Sequence, residues 1–482
     1  MSLPAFFVRI SEASEKKSGG GINDFYRPSC LDNRMIAKPY PEAGADAAST
    51  VPKLLWKYGV PAIVGLAPVA TLLFSWADPG VPVAGWERLV KVLALPVIAA
   101  ELLVIMIAAA SLGHGRRRPK LPLSTSVPAA ALFVLMIGTA ALAASFPAMA
   151  FLRTGLWFVH IAFAWSIFRL CEASRLDATR VSEALLAGFV LFCALLIVFV
   201  AKIDNAAEFR WYHDLPGLDN IRRGGYFAAP MAGLCFGFIA SHKGARAGIA
   251  AAALTLSVAL TFWTGSRGSA MSIALGFAAG LVLFPSFRSW RFILTVAGAG
   301  AAGLLLSWLY GVHTGFHGFG RMLPEAMGGD TVYSRVDVTS GRIDLWTSTW
   351  NAILQRPLLG YGENQTSFVV PVGAEQGVFH PHNLLLQVLL AWGVVGAILI
   401  LFLIVPLAKR AWVNTVRNQA YVGPFTAMLI LLIYSSVDGT LFNVHAVSIF
   451  AVCAGIVLAR GRDLPNQAVP TAKGRATQRV SV

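Results

Sequence analysis

The sequence predicts an all-α, polytopic membrane fold, on three observations: its composition, the recurrence of long apolar runs, and the placing of basic residues between those runs. Hydrophobic residues make up 56% of the 482 positions and charged residues 13%, with a mean hydropathy of +0.65. Soluble domains carry about a quarter charged residues, so water is not the main solvent of this fold. The net charge of +15 would suggest nucleic acid in a soluble protein. Here the basic residues gather in short connections, the pattern that holds helix ends in the cytoplasm, and no nucleic-acid partner is expected. Cys30, Cys171, Cys193, Cys235 and Cys453 are scattered without a C-x-x-C pair and imply neither a disulfide framework nor a zinc site.

A helix needs about 20 apolar residues to cross the hydrocarbon, because lipid offers the backbone no hydrogen-bond partner. Runs of that kind lie near 54–77, 89–112, 126–146, 149–169, 181–201, 226–241, 246–265, 269–285, 291–310, 383–408, 420–437 and 443–460, giving about twelve spans. Basic residues follow the even-numbered runs: Arg116, Arg117, Arg118 and Lys120; Arg169, Arg175 and Arg180; Lys243 and Arg246; Arg288 and Arg291; Lys409, Arg410 and Arg417. The tail after 460 is also basic. Both termini are therefore expected in the cytoplasm. Residues 1–53 read as a disordered cytoplasmic tail without the apolar stretch of a signal peptide, 54–310 as nine spans, 311–382 as a large external loop, 383–460 as three further spans and 461–482 as a second cytoplasmic tail. Loops longer than about 15 residues are uncommon unless functional or disordered, so the external loop is where chemistry is expected. No internal repeat is visible, which disfavours transporters built from two related halves.

Arg267 stands out within Thr264-Gly265-Ser266-Arg267-Gly268, a tight turn between apolar runs. It either snorkels to the interface or captures an anion, and Gly265 and Gly268 would let backbone N–H groups approach the same anion. Ile343, Trp346, Trp350, Ile353 and Leu354 recur near a helical period before Pro357. The spacing predicts an amphipathic helix over 341–356, capped by Ser340, with Arg342 in its first turn. A cation there opposes the helix dipole by about 0.3–1 kcal/mol, so an anionic partner is expected, either Asp344, another loop carboxylate, or a ligand. Arg222 and Arg223, outside the sixth span, read either as an ordinary interfacial pair or as a third cationic candidate.

Phe379-His380-Pro381-His382-Asn383 precedes Leu384-Leu385-Leu386-Gln387 and, ten residues beyond Asn383, Gly393-Val394-Val395-Gly396. Pro381 suits the first position of a helix, which would set His382 in the first turn of the tenth span and keep it neutral beside the positive dipole end. A neutral imidazole accepts protons. Metal binding by His380 and His382 is the competing reading, but no third His or Cys stands near in sequence. Arginines for anions together with a neutral base point to transfer of a group that leaves as phosphate or diphosphate. No G-x-x-x-x-G-K-[ST] loop is present, and neither a metal nor another cofactor is expected.

His382-Asn383, nine residues, then Gly393-x-x-Gly396 resembles the H-N-x9-G-x-x-G signature of the O-antigen ligase family. Gly341-Arg342-x-x-x-Trp346 and Pro357-Leu358-Leu359-Gly360-Tyr361-Gly362 resemble the region that these ligases share with Wzy-type polysaccharide polymerases. The resemblance covers roughly 265–400. It implies a GT-C-like membrane glycosyltransferase at the periplasmic face of the bacterial inner membrane. Its donor is a glycan on undecaprenyl diphosphate, its acceptor a lipid A-core sugar or a lipid-linked saccharide, and membrane lipids surround it. By the same resemblance Arg267 and Arg342 grip the donor diphosphate; Arg223, on its position alone, is a weaker third candidate. His382 activates the acceptor and His380 is a less fixed neighbour; Asn383 and Gln387, beside them in the chain, are expected to support them, as are Gly265 and Gly268. The expected activity is metal-independent, inverting transfer of the ligase type, with the polymerase as alternative. A lipid-linked oligosaccharide flippase or permease is a further alternative from another class. Such a carrier should line a central cavity with charge through several helices, whereas here the distinctive polar residues gather at one face.

Overall fold

The computed structural model describes residues 53–77, 85–112, 123–206, 208–211, 213–311, 318–322, 341–375 and 377–460. Residues 1–52 of the first expected tail and all of the second lie outside them, as does much of the first half of the expected loop. The described residues are helical and contain no strand. In chain order the first helices are α1 (Val60–Phe74), α2 (Gly85–Leu93), α3 (Leu95–Leu112), α4 (Leu123–Leu142), α5 (Pro147–Glu172) and α6 (Ala178–Val200). There follow α7 (Gly224–Ser241), α8 (Ala245–Trp263), α9 (Arg267–Leu283) and α10 (Trp290–Leu309). The short α11 (Phe319–Met322), α12 (Arg342–Gln355), α13 (Thr366–Val369) and α14 (Pro371–Glu375) come before α15 (Leu384–Arg417), α16 (Val422–Ser435) and α17 (Val444–Leu458).

Among the described residues, nine helical stretches are long and apolar enough to cross a bilayer, and three shorter apolar ones, Arg267–Leu283, Gln419–Ser435 and Val444–Leu458, account for the remaining expected runs. The protein is thus an all-helical polytopic membrane protein. The second expected run, 89–112, is divided at Ala94, whose φ of 48° separates the amphipathic α2 from the apolar α3. Because successive spans alternate in direction, the connections rich in Lys and Arg share one end of the bundle. The α8–α9 turn, α11, α12 and the start of α15 occupy the other.

The axis of the bundle is α7, 89% of whose apolar window is buried. Small residues are the reason. A Cβ on Gly233 would stand 2.6 Å from the Ala427 Cα, and one on Gly237 would overlap Gly423, so α7 and α16 meet backbone to backbone. In lipid, where apolar side chains gain little by leaving their solvent, such close backbone contact is what holds helices together. That contact fixes Tyr226 at the start of α7 beside Tyr434 near the end of α16, ring centroids 5.2 Å apart. On the other flank of α7, Ser257 of α8 donates from Oγ to the Ala228 carbonyl at 2.8 Å.

The helix α15 is interrupted at Gly393, where φ is 59° and ψ is −164°. The interruption leaves backbone groups without helical partners, and the Pro357–Gly362 segment takes them up. Val394 N donates to Pro357 O at 2.8 Å and Val395 N to Leu358 O at 3.2 Å, while Tyr361 N and Gly362 N donate to Leu390 O and Ala391 O, each at 2.8 Å. Non-helical backbone inside a membrane bundle survives only when protein satisfies it in this way. The two sequence stretches, Gly393-x-x-Gly396 and Pro357–Gly362, are therefore halves of one contact. A Cβ on Gly393 would overlap the Leu358 carbonyl, and its backbone conformation is one that only glycine adopts readily. Gly393→Ala should cost at least about 1–3 kcal/mol from the backbone alone and lower the melting temperature of detergent-purified protein. Gly298→Ala, at a position with open space around it, should leave the melting temperature unchanged; equal melting of both variants would refute this account.

Candidate active site

Past the end of α16, Asp438 collects donors from four directions. Its Oδ1 accepts from Tyr226 Oη at 2.8 Å, from the Gly439 amide at 2.8 Å and from His382 Nδ1 at 2.6 Å, and its Oδ2 accepts from Arg342 Nη2 at 3.0 Å. Burial alone would raise the Asp438 pKa. The hydrogen bond from His382 and its charge, with Arg342 and Tyr226, outweigh that and hold the carboxyl well below the usual carboxylate range. An ionised carboxylate only accepts hydrogen bonds, so His382 Nδ1 donates in this contact and Nε2 is the ring nitrogen left for another partner. The carboxylate thereby fixes which ring nitrogen of His382 faces away from it.

Two of the sequence-derived residues thus meet on a third that was not foreseen. His382 is not in a helical first turn as Pro381 suggested. Asn383 is the N-cap of α15, accepting from Leu386 N at 3.1 Å, and His382 precedes it with φ of 53°. A Ser, Thr, Asp or Asn cap outcompetes proline as the start signal here, and Asp438 replaces the helix dipole as the group governing the imidazole. Asn383 also donates from Nδ2 to Ser436 O at 2.8 Å, which ties the histidine segment to the loop carrying Asp438. Arg342 does begin α12, but its anionic partner is Asp438 rather than Asp344. Ser340 lies outside the described residues, and the N-cap position is Gly341, in left-handed backbone without a side-chain cap bond.

His380 lays its ring against His382, centroids 4.3 Å apart, and against Phe442 at 4.8 Å. Burial first, then the neighbouring charge of His382, pushes its pKa well below the ordinary imidazole value. His380 is therefore neutral and weakly basic, a packing neighbour to His382. Its ring occupies the place a Cβ on Gly439 would need, so Asp438-Gly439 is a matched pair.

Arg267 reaches the same end of the bundle through its neighbours. Ser266 Oγ and Tyr434 Oη lie 2.5 Å apart, and Tyr434 packs on Tyr226, which bonds Asp438. The Arg267 guanidinium donates from Nε and Nη2 to the Arg321 carbonyl at 3.0 and 2.6 Å. Arg321 was not singled out in the sequence, yet its own Nη1 is buried with no hydrogen-bond partner among the described residues. The two glycines also serve the packing of the turn. The Gly265 amide donates to Phe262 O at 3.1 Å to finish α8, and the space beside Gly268 is filled by the Tyr434 ring, 2.6 Å from where a Cβ would stand. Arg223 pairs with Asp219 one turn earlier, the ordinary reading, although its charge is felt at His380.

Gln387 belongs to a second buried cluster beside the first. It donates from Nε2 to Glu363 Oε2 at 3.3 Å, Trp157 donates to Glu363 Oε1 at 3.2 Å, and Arg153 Nε lies 3.9 Å from the same oxygen. Arg153 also donates to Phe442 O at 2.7 Å and sits 4.0 Å over the Phe442 ring, whose other contact is His380. Burial raises the Glu363 pKa despite Arg153. A small cavity of about 20 Å³, room for roughly one water, is lined by Trp157, His380, His382, Gln387 and Asp438.

The bundle and this polar cluster define the class: an integral membrane protein with an oriented histidine and several arginines at one end. Residues 250–401 are similar to the family described as O-antigen ligase, Wzy_C, a match that supports the resemblance to the O-antigen ligase and Wzy-type superfamily. The match supports a glycosyl-transfer role in the assembly of O-antigen or related polysaccharide. A comparison with curated proteins finds no match.

A folded-state pKa held below the unfolded one contributes stability that is complete above the unfolded value and fades as pH falls through the folded value. Asp438→Asn should therefore melt at lower temperature than the native protein at pH 7. The gap should persist down to about pH 4, where free carboxylates begin to protonate, and shrink below it. Melting curves of both proteins across that range test this, and a gap that widens on acidification would contradict it.

Proposed function

We propose that this protein is a membrane glycosyltransferase of the O-antigen ligase type, moving a glycan from undecaprenyl diphosphate to a saccharide hydroxyl at the periplasmic face of the bacterial inner membrane. The observation that carries the reading is the His382–Asp438–Arg342 arrangement: a base of fixed tautomer and a guanidinium held on one carboxylate. The placing of the basic connections at the opposite end of the bundle supports a periplasmic site.

In the proposed reaction His382 Nε2 takes the proton of the acceptor hydroxyl as its oxygen bonds to the anomeric carbon of the donor. The bond from that carbon to the diphosphate oxygen breaks, its electron pair stays with the diphosphate, and single displacement inverts the anomeric centre. Arg342 gives one nitrogen to Asp438, and the planar fork of its guanidinium suits an anion on its other donors. With Arg267 beside Arg321, and Arg223 adding positive potential, it stabilises the charge that develops on the leaving diphosphate. Asn383 and Gln387 hold the histidine segment against its neighbours. The scheme uses no metal and no nucleotide.

His382→Ala should lower kcat at least about 100-fold while the protein stays folded and membrane-inserted; near-normal turnover would remove it as the base. Arg267→Ala and Arg342→Ala should each raise KM for the donor more than for the acceptor, and equal effects on both would assign them to structure.

Purified protein supplied with a labelled polyprenyl-diphosphate glycan decides the acceptor. The ligase reading expects glycan joined to lipid A-core and no chain extension on the carrier. Longer carrier-linked chains without core modification would identify a polymerase, and no glycosidic product at all would favour a carrier protein.

A further inference from the structure

At the end of the bundle that carries the Lys- and Arg-rich connections, away from Asp438, five apolar helices stop around one cavity of about 580 Å³. Its floor is Trp56, Leu176 and Tyr421, all buried in the main core. Around them stand five cations, Lys53, Lys57, Arg175, Arg180 and Arg460, against one carboxylate, Asp177. Taken singly, such cations hold helix ends on one side of the bilayer. That role does not require positions as far apart as 53 and 460 to share a cavity, nor one whose volume falls within the range of about 300–1,000 Å³ typical of ligand sites.

Local structure aims these cations. Lys53 and Lys57 are four residues apart on the helical turns that begin the first span, so they share one face in spite of their like charge. Lys57 Nζ lies 4.9 Å from the centroid of the Tyr58 ring. The α5–α6 connection is closed by two bonds that reach back over the helix end: Ser174 N donates to Cys171 O at 2.9 Å and Arg175 N to Leu170 O at 3.0 Å, with Ser174 in left-handed backbone at φ of 53°. Arg175 leaves that turn with its side chain held as well. It donates from Nη1 to Ser111 O at 2.9 Å and keeps its guanidinium carbon 5.4 Å from the Trp56 ring centroid, while that of Arg180 is 5.7 Å from Tyr58. The nearby carboxylates are engaged elsewhere. Asp177 caps α6 by accepting from Arg180 N at 3.0 Å, Glu172 pairs with Arg410 at 2.8 Å and accepts from the Arg460 amide at 2.9 Å, and Glu183 lies 3.6 Å from Arg246. The cavity therefore keeps an excess of positive charge beside aromatic faces.

We propose that this cavity binds the phosphate-bearing head of an anionic phospholipid. Guanidinium forks and ammonium groups suit phosphate oxygens, and basic pockets between membrane helices at such an end take head groups of this kind. The rim favours a lipid over a dissolved anion. Leu54 and Tyr58, beside Lys53 and Lys57, are exposed at the start of the Leu55–Phe74 span, so apolar surface begins where the cations end. The acyl chains would lie along that surface, in the leaflet opposite the Asp438 end. The site is separate from the candidate active site and does not depend on the glycosyl-transfer reading.

Two measurements on the full-length protein test it. A phosphatidylglycerol analogue with a diazirine on its head group, added to delipidated wild-type protein in neutral detergent, should label peptides within 53–58, 171–180 and 418–421. Unlabelled phosphatidylglycerol or cardiolipin should compete, and phosphatidylcholine should not. Label spread equally over the basic connections 242–246 and 285–291 would show a charged surface without a site and overturn the proposal. Equal competition by inorganic diphosphate would make the occupant a dissolved anion and overturn it too. Charge removal then separates a cavity from a charged face. Lys57→Gln, Arg180→Gln and Arg460→Gln combined should cut labelling at least about tenfold, each cation contributing separately. Lys243→Gln, Arg246→Gln and Arg288→Gln combined remove the same charge at the same end but outside the cavity, and should leave labelling unchanged; equal loss in both triple variants would refute the site. These six side chains are exposed or half-buried, so both variants should melt like the native protein in lipid-free detergent. Should the first fail to fold, the labelling and competition pattern of the wild type decides alone.

Discussion

One buried carboxylate organises the polar end of this protein. Asp438 sits where α16 has just ended, and its oxygens are shared among α7 through Tyr226, α12 through Arg342, the segment before α15 through His382, and its own loop through Gly439. A charge in that position is costly unless it is fully hydrogen-bonded, and removing a partner from such a set is far worse than never having formed it. The network brings together residues that are 56, 96 and 212 positions apart from Asp438 in sequence. Its position is in turn set by apolar chemistry. The glycines of α7 allow α16 so close that Tyr226 and Tyr434 meet, and the chain leaving α16 has little freedom in where it puts Asp438.

This dependence explains which parts of the structure were legible in the sequence. The spans were, because each is a local property of about 20 residues in one solvent. The helix carrying Arg342 was, because its apolar period and its terminating Pro357 are local too. Asp438 was not: a lone Asp-Gly between the last two spans carries no motif, and the reading followed basic residues. The available signal was that this is a carboxylate on the same side as Arg267, Arg342 and His382, in a chain with only 24 acidic residues. Arg153 and Glu363 were missed for the same reason, since neither means anything until α5 and the loop before α13 are adjacent. The start of α15 was misplaced because two local rules competed, and the capping side chain of Asn383 prevailed over Pro381.

The Gly393 break shows how a sequence signature can be structural and functional together. By interrupting α15 it frees backbone groups that pull the Pro357–Gly362 segment into the bundle. That segment ends at Glu363, which gathers Trp157, Gln387 and Arg153, and Arg153 in turn reaches Phe442, on which His380 packs. A chain of contacts thus runs from a glycine inside a membrane helix to the ring beside the proposed base. The conformational demand at Gly393 and the chemical demand at His382 are linked through packing, so the two ends of the H-N-x9-G-x-x-G spacing serve one arrangement.

A lipid-linked donor poses a problem of two solvents, since its tail is stable only in hydrocarbon and its diphosphate only where charge is compensated. The fold answers with a division that follows its own helix ends. Below the α8–α9 turn the helices are apolar; at the turn stands Arg267, and beyond it the Tyr434–Tyr226–Asp438 relay leads to His382. Arg267 belongs at that seam because guanidinium is the more weakly hydrated of the cationic side chains. It can hold an anion at the edge of an apolar region that a lysine would leave for water.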